Sequence, residues 1–161
     1  MMRTSIAGRI LSMVLVVATA GCGSSSTPTT PTPTTTNAIT AIMDGVAYNS
    51  GSITAEIISG ALTMSSLNVA DTAQLRFFTA ARVGTETIGR SSTTGIGYAT
   101  VNAGLVTAVW AATPTLGSGT LTITTLTATG ATGTFAFTAS PLSGSATGSK
   151  VVTNGTFNVT F

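Results

Sequence analysis

Histidine is absent from the 161-residue sequence, and cysteine occurs once, as Cys22. Those two counts remove Ser-His-Asp and Cys-His nucleophile systems and histidine-based zinc sites. Four carboxylates remain for acid–base work: Asp44, Glu56, Asp71 and Glu86. A glycosidase needs two of them facing each other at a set separation. Asp44 and Asp71 stand in turn contexts, where such side chains bond local backbone. Glu56 and Glu86 alternate with apolar neighbours and read as solvent-facing strand positions. No carboxylates cluster as calcium requires, so no metal site and no cofactor are expected. Lys150 is the only lysine. The surrounding 144–151 stretch has the wrong glycine-to-lysine spacing for a phosphate loop. A dyad of Lys150 with Ser149 or Ser143 has no supporting motif, so no catalytic residue is assigned and the chain reads as a non-enzyme.

Two aromatic residues remain as candidates for ligand contact, Tyr98 and Trp110. Aromatic faces stack on sugars and other flat apolar surfaces, and both residue types are enriched where binding occurs. Both also lie in alternating strand-like runs, where core packing explains them at least as well. Thr120, Thr122 and Thr124 offer a flat outward ladder, although ordinary strand propensity accounts for it.

The elements that position these residues follow from composition. Charged residues make up 6% of the chain, against roughly 25% in a typical soluble protein. Thr, Ser and Gly take their place, which suits strands and turns outside the cytoplasm. The formal charge is +2, but Arg3 and Arg9 precede a non-polar run. Beyond it, Arg76, Arg82, Arg90 and Lys150 balance the four carboxylates. A neutral domain lacks the footprint of a nucleic-acid binder.

Residues 10–20 are apolar and uncharged, within the ~7–15 residues of a signal-peptide core and short of a membrane span. Thr19-Ala20-Gly21-Cys22 resembles the lipobox of bacterial lipoproteins. The resemblance implies a signal peptide over residues 1–21, cleavage before Cys22, and a diacylglycerol and palmitate-type acyl chains on that residue. It also implies that the protein's membrane partner is reached through this lipid. Thr19 departs from the Leu usual at its position. Gly23, where an Asp would retain the protein at the inner membrane, favours the outer membrane of a cell that has one. Residues 22–37 form a linker; 27–36 are Thr and Pro only, an extended spacer or a glycosylated stalk.

From residue 38 the period is that of strands, and residues 38–161 form the folded domain. Asp44-Gly45 is a hairpin-type pair. Asn49-Ser50-Gly51 breaks a run. In 119–124 apolar residues point inward and threonines outward, and Leu126 falls out of phase, predicting a bulge near Thr124-Thr125. A polar Ser/Gly loop follows residue 139. Asn154-Gly155 reads as a tight hairpin turn or as a kink in one long terminal strand; the kink is preferred, with residues near 134–139 pairing with that strand. Only 70–82 would accommodate a short helix. The fold class is all-β, an antiparallel sandwich or barrel of nine or ten strands. A second resemblance rests on Met43-Asp44-Gly45-Val46-Ala47-Tyr48 and on the strands 119–126, 133–139 and 153–161. These are similar to segments of an uncharacterised family of small secreted bacterial lipoproteins, which implies a fold and no catalytic residues.

Three functional expectations follow. The first is a lipid-anchored β module of the cell envelope with a structural or binding role, its ligand or surface partner unspecified. The second is a carrier holding an apolar molecule in a cavity lined by Phe77, Trp110 and Phe135. The third, an enzyme, requires two carboxylates, or Lys150 and a serine, to converge in a cleft.

Overall fold

A computed structural model describes residues 37–161 apart from Asp71, Arg90 and Ser91. Cys22, the signal and most of the linker lie outside these residues. Ten antiparallel strands follow one another: β1 (Ala38–Met43), β2 (Val46–Ile58), β3 (Ala61–Asn68), β4 (Ala73–Ala80), β5 (Gly84–Ile88), β6 (Gly95–Asn102), β7 (Leu105–Ala112), β8 (Ser118–Leu126), β9 (Gly130–Gly144) and β10 (Lys150–Thr160). No helix occurs among the described residues, and 73–80, within the stretch that would have tolerated one, is a strand with Leu75 and Phe77 inward and Arg76 and Phe78 outward.

The strands hydrogen-bond in the order β10-β1-β2-β3-β4-β6-β7-β9-β8-β5, and β10 also pairs with β9. That last pairing closes eight strands into a ring, with β8 and β5 as a two-strand extension from β9. Two strands turn the corners. Residues 46–49 of β2 pair with β1, whereas 50–58 pair with β3. Residues 130–139 of β9 pair with β10, whereas 140–144 pair with β7.

Both corners fall where the sequence predicts interruptions. At Asn49-Ser50-Gly51 the strand carries a register shift between Ser50 and Ser52 rather than ending. The Ser/Gly loop expected after residue 139 begins only after Gly144, because Ser140–Gly144 finds a partner in β7. Pro141 is tolerated there because this end of β9 has run past β10, leaving one edge that needs no donor.

Three two-residue hairpins, Asp44-Gly45, Ser59-Gly60 and Ala103-Gly104, have φ between 48° and 83° at both positions. This is the type I′ geometry whose twist matches that of paired strands. The register shifts between Ile123 and Thr125 and between Val152 and Gly155 place the predicted bulge and kink. Inside the ring, Phe77 of β4 meets Phe135 of β9 edge to face at 4.8 Å, beside the buried Ile39, Leu62, Leu121 and Ile123.

The outer face is carpeted with threonine. The registers align Thr85, Thr122, Thr134, Thr156 and Thr40 as one row across β5, β8, β9, β10 and β1. Its hydroxyls bond one another, Thr85 with Thr122 at 2.8 Å and Thr40 with Thr156 at 2.9 Å. Thr124 joins Thr132 in the same way. Such cross-strand pairs stabilise a sheet by about 0.2–1 kcal/mol each.

Candidate functional site

One end of the ring collects the β1–β2 turn, the β3–β4 turn, the β6–β7 turn and the loop between β9 and β10. Here the sequence candidates meet. Tyr98 and Trp110 face each other across β6 and β7, with ring centroids 5.5 Å apart and planes tilted by 39°. Trp110 is buried at 6% exposure. Its Nε1–H donates to the Gly148 carbonyl at 2.9 Å, with Thr147 O farther at 3.4 Å. The indole therefore belongs to the core and pins the 145–149 loop. Tyr98 is only partly buried and lines an open groove of ≈ 290 Å³ together with Tyr48, Asn68, Thr72, Asp44 and Lys150.

Lys150 and Asp44 are 106 residues apart and form the rim. Lys150 Nζ donates to Asp44 Oδ2 at 2.8 Å and lies 5.2 Å from the Trp110 ring centroid, within cation–π reach. Asp44 Oδ1 accepts from Val151 N–H at 2.8 Å, and Asp44 N–H donates to Val151 O at 2.9 Å. The turn is thereby fastened to the start of β10. The Lys150 bond and then the Val151 N–H hold the Asp44 carboxyl below its usual range, and the bond to Asp44 raises Lys150. Burial pushes the Tyr98 phenol up; Lys150 opposes that shift and Asp44 adds to it. Tyr48 is raised mainly by burial, and its hydroxyl bonds Ser66 Oγ at 2.8 Å.

Asn68 organises the far rim. Its Oδ1 accepts from the N–H of Thr72 at 2.8 Å and of Ala73 at 3.0 Å, and its Nδ2 donates to Thr72 Oγ1. The reading of Tyr98 and Trp110 as neighbours of a site and of the core thus divides between them: Trp110 packs, Tyr98 lines. Sequence reasoning missed Tyr48, Asn68, Asp44 and Lys150 as members of one site. The Asp-Gly turn signal located Asp44, but no local pattern links it to Lys150.

Among the described residues the other charged groups lie elsewhere. Glu86 pairs with Arg82, and Asp71 lies outside the described residues. Glu56 and Arg76 border a larger groove of ≈ 510 Å³ on the outside of β2, β3 and β4. Its remaining walls are Thr54, Ala55, Thr63, Met64 and Ser65, with no aromatic ring. Among the described residues no three Asp, Glu, Cys or His side chains gather as metal ligands.

Residues 35–159 match the family described as Domain of unknown function (DUF6252). The chain belongs to this family. The DUF6252 match reaches into all ten strands and contains every residue of the groove, so the site lies within the family's domain. No curated protein and no solved structure matches the chain.

Proposed function

We propose that this DUF6252 chain is a lipid-anchored module of the cell envelope that works by binding, through the groove at the mouth of the ring. Cys22 carries the lipid, and two or more acyl chains hold firmly where one is marginal. The linker spaces the domain from the membrane, and Gly23 favours an outer membrane.

The observation that carries the reading is the polarity of β1. The strand leaves Asn37, which accepts a bond from Thr160 N–H at 2.8 Å, and ends at Met43, beside Asp44 and the groove. The linker therefore joins the domain at one end and the mouth opens at the other, about 20 Å away at ~3.3 Å per residue.

Binding is favoured over catalysis because Asp44 and Glu86 are each held by a cation. The carrier reading has less support, since Phe77 and Phe135 fill with their own contact the space a cargo would need.

Two measurements test the proposal. Cells expressing the chain with radiolabelled palmitate incorporate label, and Cys22→Ser abolishes it; label retained on the variant removes the anchor. Native mass spectrometry of the gently extracted protein shows a co-purifying small molecule that is lost in Tyr98→Ala. A bound molecule indifferent to Tyr98 moves the site away from the mouth.

A further inference from the structure

We infer that the groove takes one ring of a neutral saccharide, laid against Tyr98 and hydrogen-bonded by the Asp44–Lys150 rim. This rests on the mouth being the binding site and adds the ligand class.

Size comes first. A groove of ≈ 290 Å³ falls just below the ~300–1,000 Å³ range of ligand pockets, enough for one ring rather than an extended chain.

Charge comes second. Among the described residues the groove brings one cation and one anion, and they already satisfy each other at 2.8 Å. An anionic ligand at Lys150 would have to displace or repel Asp44, and a cationic one would face Lys150. A neutral ligand leaves the pair intact and uses what it has left over.

The remaining hydrogen-bonding capacity is the third argument. Asp44 retains acceptor lone pairs on both oxygens, and Lys150 retains two N–H donors. Asn68 keeps one N–H after its bond to Thr72, and the Thr72 hydroxyl, which accepts that bond, is free to donate. Tyr98 contributes its phenol. The rim thus offers both donors and acceptors, and vicinal hydroxyls, each of which both donates and accepts, match such a set. A purely apolar molecule would leave these groups unpaired, at a cost. The aromatic wall supplies the apolar half of the recognition. Tyr98 is backed by Trp110, and Trp110 is fixed by Gly148 O, so the ring is preorganised and little ordering is needed on binding.

Trp110 is the only tryptophan and touches both Tyr98 and Lys150, so its fluorescence reports on the site. The full chain in detergent is titrated with methyl glucoside, with a neutral tetrasaccharide of glucose, with glucuronate and with inorganic phosphate. The neutral sugars give saturable changes in Trp110 emission. Glucuronate binds about three-fold or more weakly, as expected when one favourable polar contact is lost. Tyr98→Ala weakens the neutral sugars by about ten-fold, equivalent to ~1.4 kcal/mol. Tyr98→Phe, which keeps the ring, and Asp44→Asn, which keeps the shape of the rim, provide variants should Tyr98→Ala fail to fold; each weakens binding by about three-fold. Tighter binding of the tetrasaccharide assigns the terminal ring of a glycan, equal binding the free sugar, and both support the saccharide class. Saturation by glucuronate or phosphate without response to the neutral sugars overturns the ligand class and leaves the mouth as the binding site. No saturation by any of the four overturns both.

Discussion

Gly155 tests how tightly the kink in β10 is built into the core. The kink brings its backbone against the Phe135 side chain on β9. A methyl group added at Gly155 would meet Cδ2 and Cε2 of Phe135 and lie 2.5 Å from the Phe135 carbonyl oxygen. An ordinary C···O contact is about 3.3–3.6 Å, so the two strands must part by about 0.8 Å at that point. The ring cannot retreat, because Phe77 lies 4.8 Å away on one side and Phe137 6.2 Å away on another. Gly155→Ala therefore costs the upper part of the ~1–3 kcal/mol seen for overpacking. At roughly 3–5 °C per kcal/mol for a domain of this size, the midpoint of thermal unfolding drops by about 6–15 °C. Gly97→Ala is the control: the added methyl meets nothing within 4 Å, on a strand of the same ring, and changes stability by no more than about 0.5 kcal/mol. Phe135→Leu removes the ring atoms but not the carbonyl. Combined with Gly155→Ala it is less damaging than the sum by about 1 kcal/mol, within the range for residues in contact. Urea and thermal melts of the chain from Gly23 onward measure all four variants. Equal effects of the two alanine substitutions, or strict additivity with Phe135→Leu, would refute the wedge.

Two further outcomes concern the turns. The Asp44 carboxyl is depressed in the folded state, chiefly by Lys150 and then by Val151 N–H. Its contribution is thus fully present above the unfolded value of ~3.9 and lost as pH falls through the lower folded value. Urea midpoints followed below about pH 4 fall more steeply for the parent chain than for Asp44→Asn; parallel slopes would exclude the fastening role. At the β6–β7 turn, Ala103 sits at φ 49°, a region that costs a residue with a β-carbon about 1–2 kcal/mol and that Asn tolerates. Ala103→Asn raises stability by about 0.5–1 kcal/mol in urea melts, and an unchanged or lower midpoint would count against the turn geometry.

Local pattern made much of this domain legible. The Asp44-Gly45 turn, the inward Leu121 and Ile123, the slip at Thr124-Thr125 and the pairing of the terminal strand with 134–139 all follow from parity and turn chemistry. Those signals report which face a residue takes and where the chain reverses. They do not report which strand lies alongside. Hence Asn49-Ser50-Gly51 and Ser140-Pro141 look like strand ends, whereas each is a place where an unbroken strand exchanges one partner for another. The groove was hidden for the same reason. Tyr98 stands out by residue type, but its companions Tyr48, Asn68 and Lys150 are ordinary residues in ordinary turns and strands. Only the pairing of the first strand with the last, β1 with β10, brings Lys150 to Asp44.

The position of β1 also sets how the domain meets mechanical load. Any pull transmitted through Asn37 runs along the axis of β1, which is hydrogen-bonded to β10 on one side and β2 on the other. Antiparallel backbone bonds lie perpendicular to the strand. A force along the strand therefore strains both ladders at once, in shear, instead of opening one bond after another as peeling would. The first strand of the domain is thus a clamp, and resistance to a pull through Asn37 is built into the register of its neighbours.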